Sequence, residues 1–308
     1  MITASRNMWV SLFLFSAGAV TLPVNAAKIS ALSTGECQVM TKAGVISATA
    51  PVPCQRLRKV TFNYRDFAGK AHSNGQLVVM DAVAPYVGNI FDDLYQQGFP
   101  IHKAVPIEMY DGNDTRSMTA NNTSAFNYRP VAGSNSLSLH AYGAAIDINP
   151  LQNPFVTFGS NGNVKFSPVQ GTRYANRAQY RFGKPDSRGM AETVIATFAR
   201  NGFQYWGGFW DSPIDYQHFQ LTKDMALTMS KMTPVQATLF FQRYIAWYDS
   251  CSKMYPTAYS QYKFNDYTEY LKHQLAVKSL HTAYSADPLR VMDAIKRQPV
   301  RSAICVKR

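Results

Sequence analysis

Acidic residues are scarce: 19 Asp and Glu stand against 31 Lys and Arg, giving a formal net charge of +12. Histidine and cysteine are scarce as well, with six and four in 308 residues. No H-E-x-x-H occurs, which excludes a thermolysin-type zinc helix, and no G-x-S-x-G elbow supports a serine nucleophile. The cysteines form no C-x-x-C pair and are irregularly spaced, which argues against a four-cysteine structural zinc site. Zinc-finger spacing, RNP-like aromatic runs and long basic helices are absent, so no nucleic-acid module is expected. There is no internal repeat or low-complexity tract, and beyond residue 22 no stretch approaches membrane length.

What is present begins with a leader. Arg6, the apolar run from Trp9 to Leu22 and an A-x-A-like Val24-Asn-Ala26 read as a signal peptide cleaved before Ala27. Ser11, Ser16 and Gly18 interrupt the run, and an uncleaved N-terminal anchor is the alternative. Loss of residues 1–26 removes Arg6 and no acid, leaving +11 and no transmembrane segment in the mature chain. Such a surplus favours anionic partners, acidic cell-wall polymers among them, although a basic periplasmic protein without one fits equally. The expected location is periplasmic or secreted. In an oxidising compartment Cys37 should pair with Cys54 and Cys251 with Cys305, one of three connectivities the sequence permits.

The mature chain of about 280 residues can bury one good core or two modest ones. Residues 27–59 read as an N-terminal arm. Alternation from Val60 to Arg65 and the run from Gly75 to Met80 predict two strands with a turn at Asp66 to Gly69. Val87, Ile90, Phe91 and Leu94 have helical spacing that ends at Gly98, and Phe99 to Met109 is expected to be a further strand region. A polar stretch over 110–137 is long for a connection without a role. Met190, Val194, Ile195 and Phe198 predict a second helix. After Leu221 the pattern is helical only: Thr233-Pro234 opens one helix, Tyr267, Leu271 and Leu275 mark another, and Asp287-Pro288 opens a third. The aromatic stripes there read as core rather than as a binding surface.

Two segments carry the chemistry: Ser138-Leu-His140-Ala-Tyr-Gly143-Ala-Ala-Ile-Asp147, and Trp206-Gly-Gly-Phe-Trp210-Asp-Ser-Pro-Ile-Asp215-Tyr-Gln-His218-Phe219. A hydrolytic zinc ion takes three protein ligands and an open position, and His140, Asp147 and His218 supply three. If Gly143 to Ile148 is a strand, Asp147 shares a face with Gly143 and Ala145, while Ile146 and Ile148 face the core. A tight turn over Asp215 to His218 would bring Asp215 to the same place as the base. Asp211 is its rival, and Pro213 between them allows only one to point inward.

Together the patterns S-x-H-x-x-G-x-A-x-D and W-G-G…D-x-x-H-F resemble the zinc D-alanyl-D-alanine carboxypeptidase and L-alanyl-D-glutamate peptidase family, which has the hedgehog/DD-peptidase fold. The likeness spans roughly Val60 to Leu221 and includes Phe99-Pro-Ile101 and Asn122 to Arg129. It implies His140, Asp147 and His218 as Zn2+ ligands, Asp215 as the catalytic acid/base and Arg129 as a substrate contact. Arg129 would stabilise the oxyanion or hold a substrate carboxylate. The expected architecture is α+β, a small mainly antiparallel sheet flanked by helices over 60–221, with an all-helical C-terminal region over 222–308. The expected activity is hydrolysis of peptide bonds in peptidoglycan stem peptides. Two alternatives stand beside it: a non-catalytic zinc-containing wall-binding or regulatory protein, and a secreted effector that degrades the walls of other cells.

Overall fold

The computed structural model describes residues 26–131, 134–178, 182–183, 186–260, 263–297 and 305–306; apart from Ala26, the expected leader lies outside them. Strand β1 (Lys28–Ala31) and helix α1 (Thr34–Lys42) lead into a long antiparallel hairpin, β2 (Leu57–Arg65) and β3 (Ala71–Met80). Alternation works as expected: Val60, Phe62 and Tyr64 are buried, and their neighbours on the other face are not. At the turn, the Asp66 carboxylate accepts from the amides of Ala68 and Lys70. The sheet order is β1-β2-β3. Helix α2 (Ala84–Gln96) covers it with Val87, Ile90, Phe91 and Leu94, each worth roughly 1.5–3 kcal/mol on burial. Gly98 follows that helix with a left-handed φ of 68°.

The expected strand over Phe99 to Met109 is reduced to β4 (Lys103–Ala104). Pro100 and Pro106 lack the amide hydrogens that a longer ladder needs. Helix α3 (Asp114–Thr119) falls in the polar stretch, and β5 (Asn122–Thr123) then pairs parallel with β4. Next come β6 (Ala145–Asp147), β7 (Phe155–Phe158) and β8 (Val164–Ser167). The second predicted helix starts late, as α4 (Ile195–Arg200), after a 3-10 turn over Ala191–Thr193. Strands β9 (Tyr205–Trp206), β10 (Ile214–Asp215) and β11 (His218–Gln220) complete the strand-bearing part. These short strands form two further antiparallel sheets, β6-β11-β9 and β10-β7-β8. The fold is α+β and mainly antiparallel, but its strands are divided among small sheets because turns interrupt them every few residues.

Six helices follow: α5 (Lys223–Lys231), α6 (Pro234–Met254), α7 (Pro256–Ser260), α8 (Tyr267–Leu275), α9 (Leu280–Ala286) and α10 (Pro288–Lys296). Thr233 and Gln236 form a capping box at the start of α6, and Asp287 caps α10. The aromatic stripe Phe240, Tyr244, Trp247 is core, as is Tyr267 with Leu271 and Leu275. One cluster of buried residues runs from Met40 to Cys305, joining the helices to the sheets. Disulfides link Cys37 to Cys54 and Cys251 to Cys305, the expected pairs. Among the described residues no helix is long and apolar enough to cross a membrane.

Candidate metal centre

Strands β6 and β11 pair antiparallel with His218 directly opposite Asp147. Directly opposed residues project from the same face of a sheet, so strand pairing alone brings these two side chains together. His140 arrives from the 3-10 turn Leu139–Tyr142, where the Ser138 hydroxyl accepts from the His140 amide. Gly143 ends that turn with a φ of 61°, and a Cβ there would lie 2.4 Å from the Met80 amide nitrogen of β3. Only glycine combines that backbone with so close an approach, which is the reason for the H-x-x-G spacing.

All three side chains are buried. Nε2 of His140 lies 3.2 Å from Nδ1 of His218 and 3.1 Å from an Asp147 oxygen, and His218 Nδ1 lies 2.9 Å from the other oxygen. Ligands about 2.0–2.1 Å from a tetrahedral zinc stand about 3.3 Å apart, so this triangle fits such an ion. The outer nitrogens fix the tautomers: Nδ1 of His140 donates to the Ala125 carbonyl, and Nε2 of His218 to Oε1 of Gln220 at 2.8 Å. With the outer nitrogens donating, an ion that displaced the inner proton would meet a lone pair on each facing nitrogen, the arrangement metal-binding histidines require.

Electrostatics point the same way. Burial would push the Asp147 carboxyl up, but the imidazoles beside it, His140 foremost, hold it well below the usual range. Burial opposes the imidazolium of His218, yet the hydrogen bond and charge of Asp147 lift it to about 9. A site that holds positive charge this firmly suits a divalent cation.

Asp215 ends β10, two turn residues before His218. Its Oδ1 is sealed from solvent and has no hydrogen-bond partner. Burial and the neighbouring Asp147 charge push its carboxyl up to about 7, against a smaller pull from His218. The rival Asp211 is exposed. The W-G-G motif explains how Asp215 is seated. A Cβ on Gly207 would stand 2.5 Å from the Asp215 carbonyl oxygen and 2.9 Å from its Cβ. One on Gly208 would enter the Trp206 ring, whose Nε1 donates to the Tyr216 carbonyl at 2.7 Å. Trp210 lies against His218, with ring centroids 5.4 Å apart.

Arg129 is partly buried and paired through Nη2 with Asp114 at 2.8 Å, while its Nε is buried without a partner. Asp114, the first residue of α3, is pushed up by burial, drawn down by Arg129 and pushed up again by the Asp147 charge. It therefore sits within the field of the triad. Asp114 and Gln220 are the residues that sequence reasoning missed. Gln220 lies two positions beyond His218 on one strand, hence on its face, and that signal was available.

The comparisons bear on this geometry. Residues 132–221 match the D-alanyl-D-alanine carboxypeptidase family. No curated protein and no solved structure matches the chain. Within the matched segment lie all three candidate ligands and Asp215, whereas Arg129 and Asp114 lie upstream of it. The likeness to a peptidase family thus covers the segment that carries the candidate ligands.

Proposed function

We propose that this protein is an exported Zn2+-dependent peptidase that hydrolyses peptide bonds in the stem peptides of peptidoglycan. The observation that carries the reading is the convergence of His140 Nε2, Asp147 and His218 Nδ1 on one point, with both imidazole tautomers fixed from behind. Zinc held there would lower the pKa of a bound water towards about 7 and polarise the scissile carbonyl. Asp215 accepts the proton of the attacking water and returns it to the leaving amine, and a carboxyl near 7 is poised for both tasks. Its unpartnered Oδ1 favours catalysis over a purely structural metal site, where buried oxygens are normally satisfied. Arg129, oriented by Asp114, is assigned to a substrate carboxylate or the oxyanion. The positive charge of the chain would keep it near an anionic wall.

Mass spectrometry of defined muropeptides after digestion tests this, with and without chelator and alongside Asp215→Ala. Product should form only with the unaltered, metal-loaded protein. Product formation insensitive to both treatments would refute the mechanism.

A further inference from the structure

The backbone nitrogen of Ala27 lies 3.1 Å from each carboxylate oxygen of Asp92 on α2. An amide has a single hydrogen to divide between these two acceptors. An α-ammonium has three hydrogens and a charge, and can satisfy both oxygens at once. Ala27 is also the residue at which the leader pattern places the cut, and Ala26 before it is exposed.

We propose that the chain is cut between Ala26 and Ala27 and that the α-ammonium so formed docks on Asp92. The export reading underlies the first half of this statement; the second half stands on geometry.

Three further features support a built receptor. Asp92 is half-buried and, among the described residues, bonds to nothing else, so burial pushes its carboxyl up while the Ala27 amide offsets this only in part. Gly88, one turn earlier on α2, leaves room for Ala27: a Cβ there would lie 3.2 Å from the Ala27 methyl. Strand β1 starts at the next residue and all four of its side chains are exposed. It can bury little of its own, so its attachment rests on the ladder with β2 and on whatever holds its first residue. The other charged group that bears on Asp92 is Asp93, itself paired with Arg200 at 2.7 Å.

The sign of the pH dependence follows. An α-amino group has an unfolded pKa of about 7.7–8.0, and the Asp92 carboxylate raises it in the folded chain. The added stability is therefore complete below about 7.7 and is lost as pH rises through the raised value.

Two measurements separate the two halves. The full chain is expressed with its own leader in an exporting cell, and the intact mass of the product should correspond to a chain beginning at Ala27. Independently, chains beginning at Ala27 and at Val24 are prepared from cleavable fusions and melted between pH 6 and 10. The Ala27 chain should melt about 2 °C higher or more at pH 6–7, with the gap closing by pH 10 and absent in Asp92→Asn. Its α-amine, titrated by pH-dependent labelling, should ionise above pH 8. A product beginning elsewhere overturns the cleavage. Equal melting at pH 6–7, or an unshifted amine in the Ala27 chain, overturns the docking whatever the cleavage result.

Discussion

Asp215→Asn should trade activity for stability. The substitution keeps the shape of the side chain and removes its charge. With the carboxyl at about 7 in the fold and about 3.9 in the unfolded chain, the difference corresponds to about 4 kcal/mol. Partial exposure of the residue reduces this to about 2 kcal/mol. The direction is fixed by proton counting. Between about pH 4 and pH 7 the unfolded chain gives up this proton while the folded chain keeps it, so stability falls with rising pH and then levels. Asparagine escapes that loss. In the metal-stripped protein, Asp215→Asn should therefore melt about 4 °C above the parent at pH 8 and level with it at pH 4. In the zinc-loaded protein the same change should lower turnover of muropeptides 10²–10⁴-fold by removing the proton acceptor. Calorimetry across pH and a stopped muropeptide assay read the two effects. A variant no more stable than its parent at pH 8, or one that keeps full turnover, would refute the claim that a carboxyl raised by its surroundings is held for chemistry.

Gln220→Leu removes the oxygen that orients His218 and should weaken zinc binding 10–100-fold in competition with a chromogenic chelator; an affinity within twofold of the parent would deny Gln220 that role. Gly207→Ala forces a methyl to 2.5 Å from the Asp215 carbonyl and should cost about 1–3 kcal/mol in urea unfolding. Because a side chain at Gly207 would meet Asp215 before any of the three triad residues, turnover should fall while zinc affinity holds, and a parallel loss of both would place its effect elsewhere.

How much of this was legible in the sequence depended on how local each cause was. The convergence of His140, Asp147 and His218 was legible because the two histidines sit in short motifs with their supports, Ser138 and Gly143 for His140 and the Asp215 turn for His218. Helix starts such as Thr233-Pro234 and Asp287-Pro288 were legible for the same reason, since each cap is satisfied by the amide three positions away. Helix α1 was missed although Ser33-Thr-Gly-Glu36 carries a capping-box spacing, because the segment lacks an apolar stripe and buries only Met40. The strand over 99–109 was overread from its apolar residues, when two prolines deprived it of donors.

Asp114 was illegible for a different reason. Nothing near it in sequence distinguishes it from Asp111 or Asn113; its role comes from Arg129, fifteen residues on, and from a triad assembled by pairing β6 with β11. The same holds for the glycines of W-G-G. Composition marks Gly207 and Gly208 as a turn, but only the fold shows that one yields its side-chain space to Asp215 and the other to the Trp206 ring. The triad is therefore written locally, whereas the seating of Asp215 depends on contacts between segments that the sequence does not bring together. Asp215 is accordingly the part of the site most open to disturbance by substitutions outside the motifs: loss of the Asp114 charge or of the space at Gly207 would perturb Arg129 and Asp215 while leaving His140, Asp147 and His218 in register.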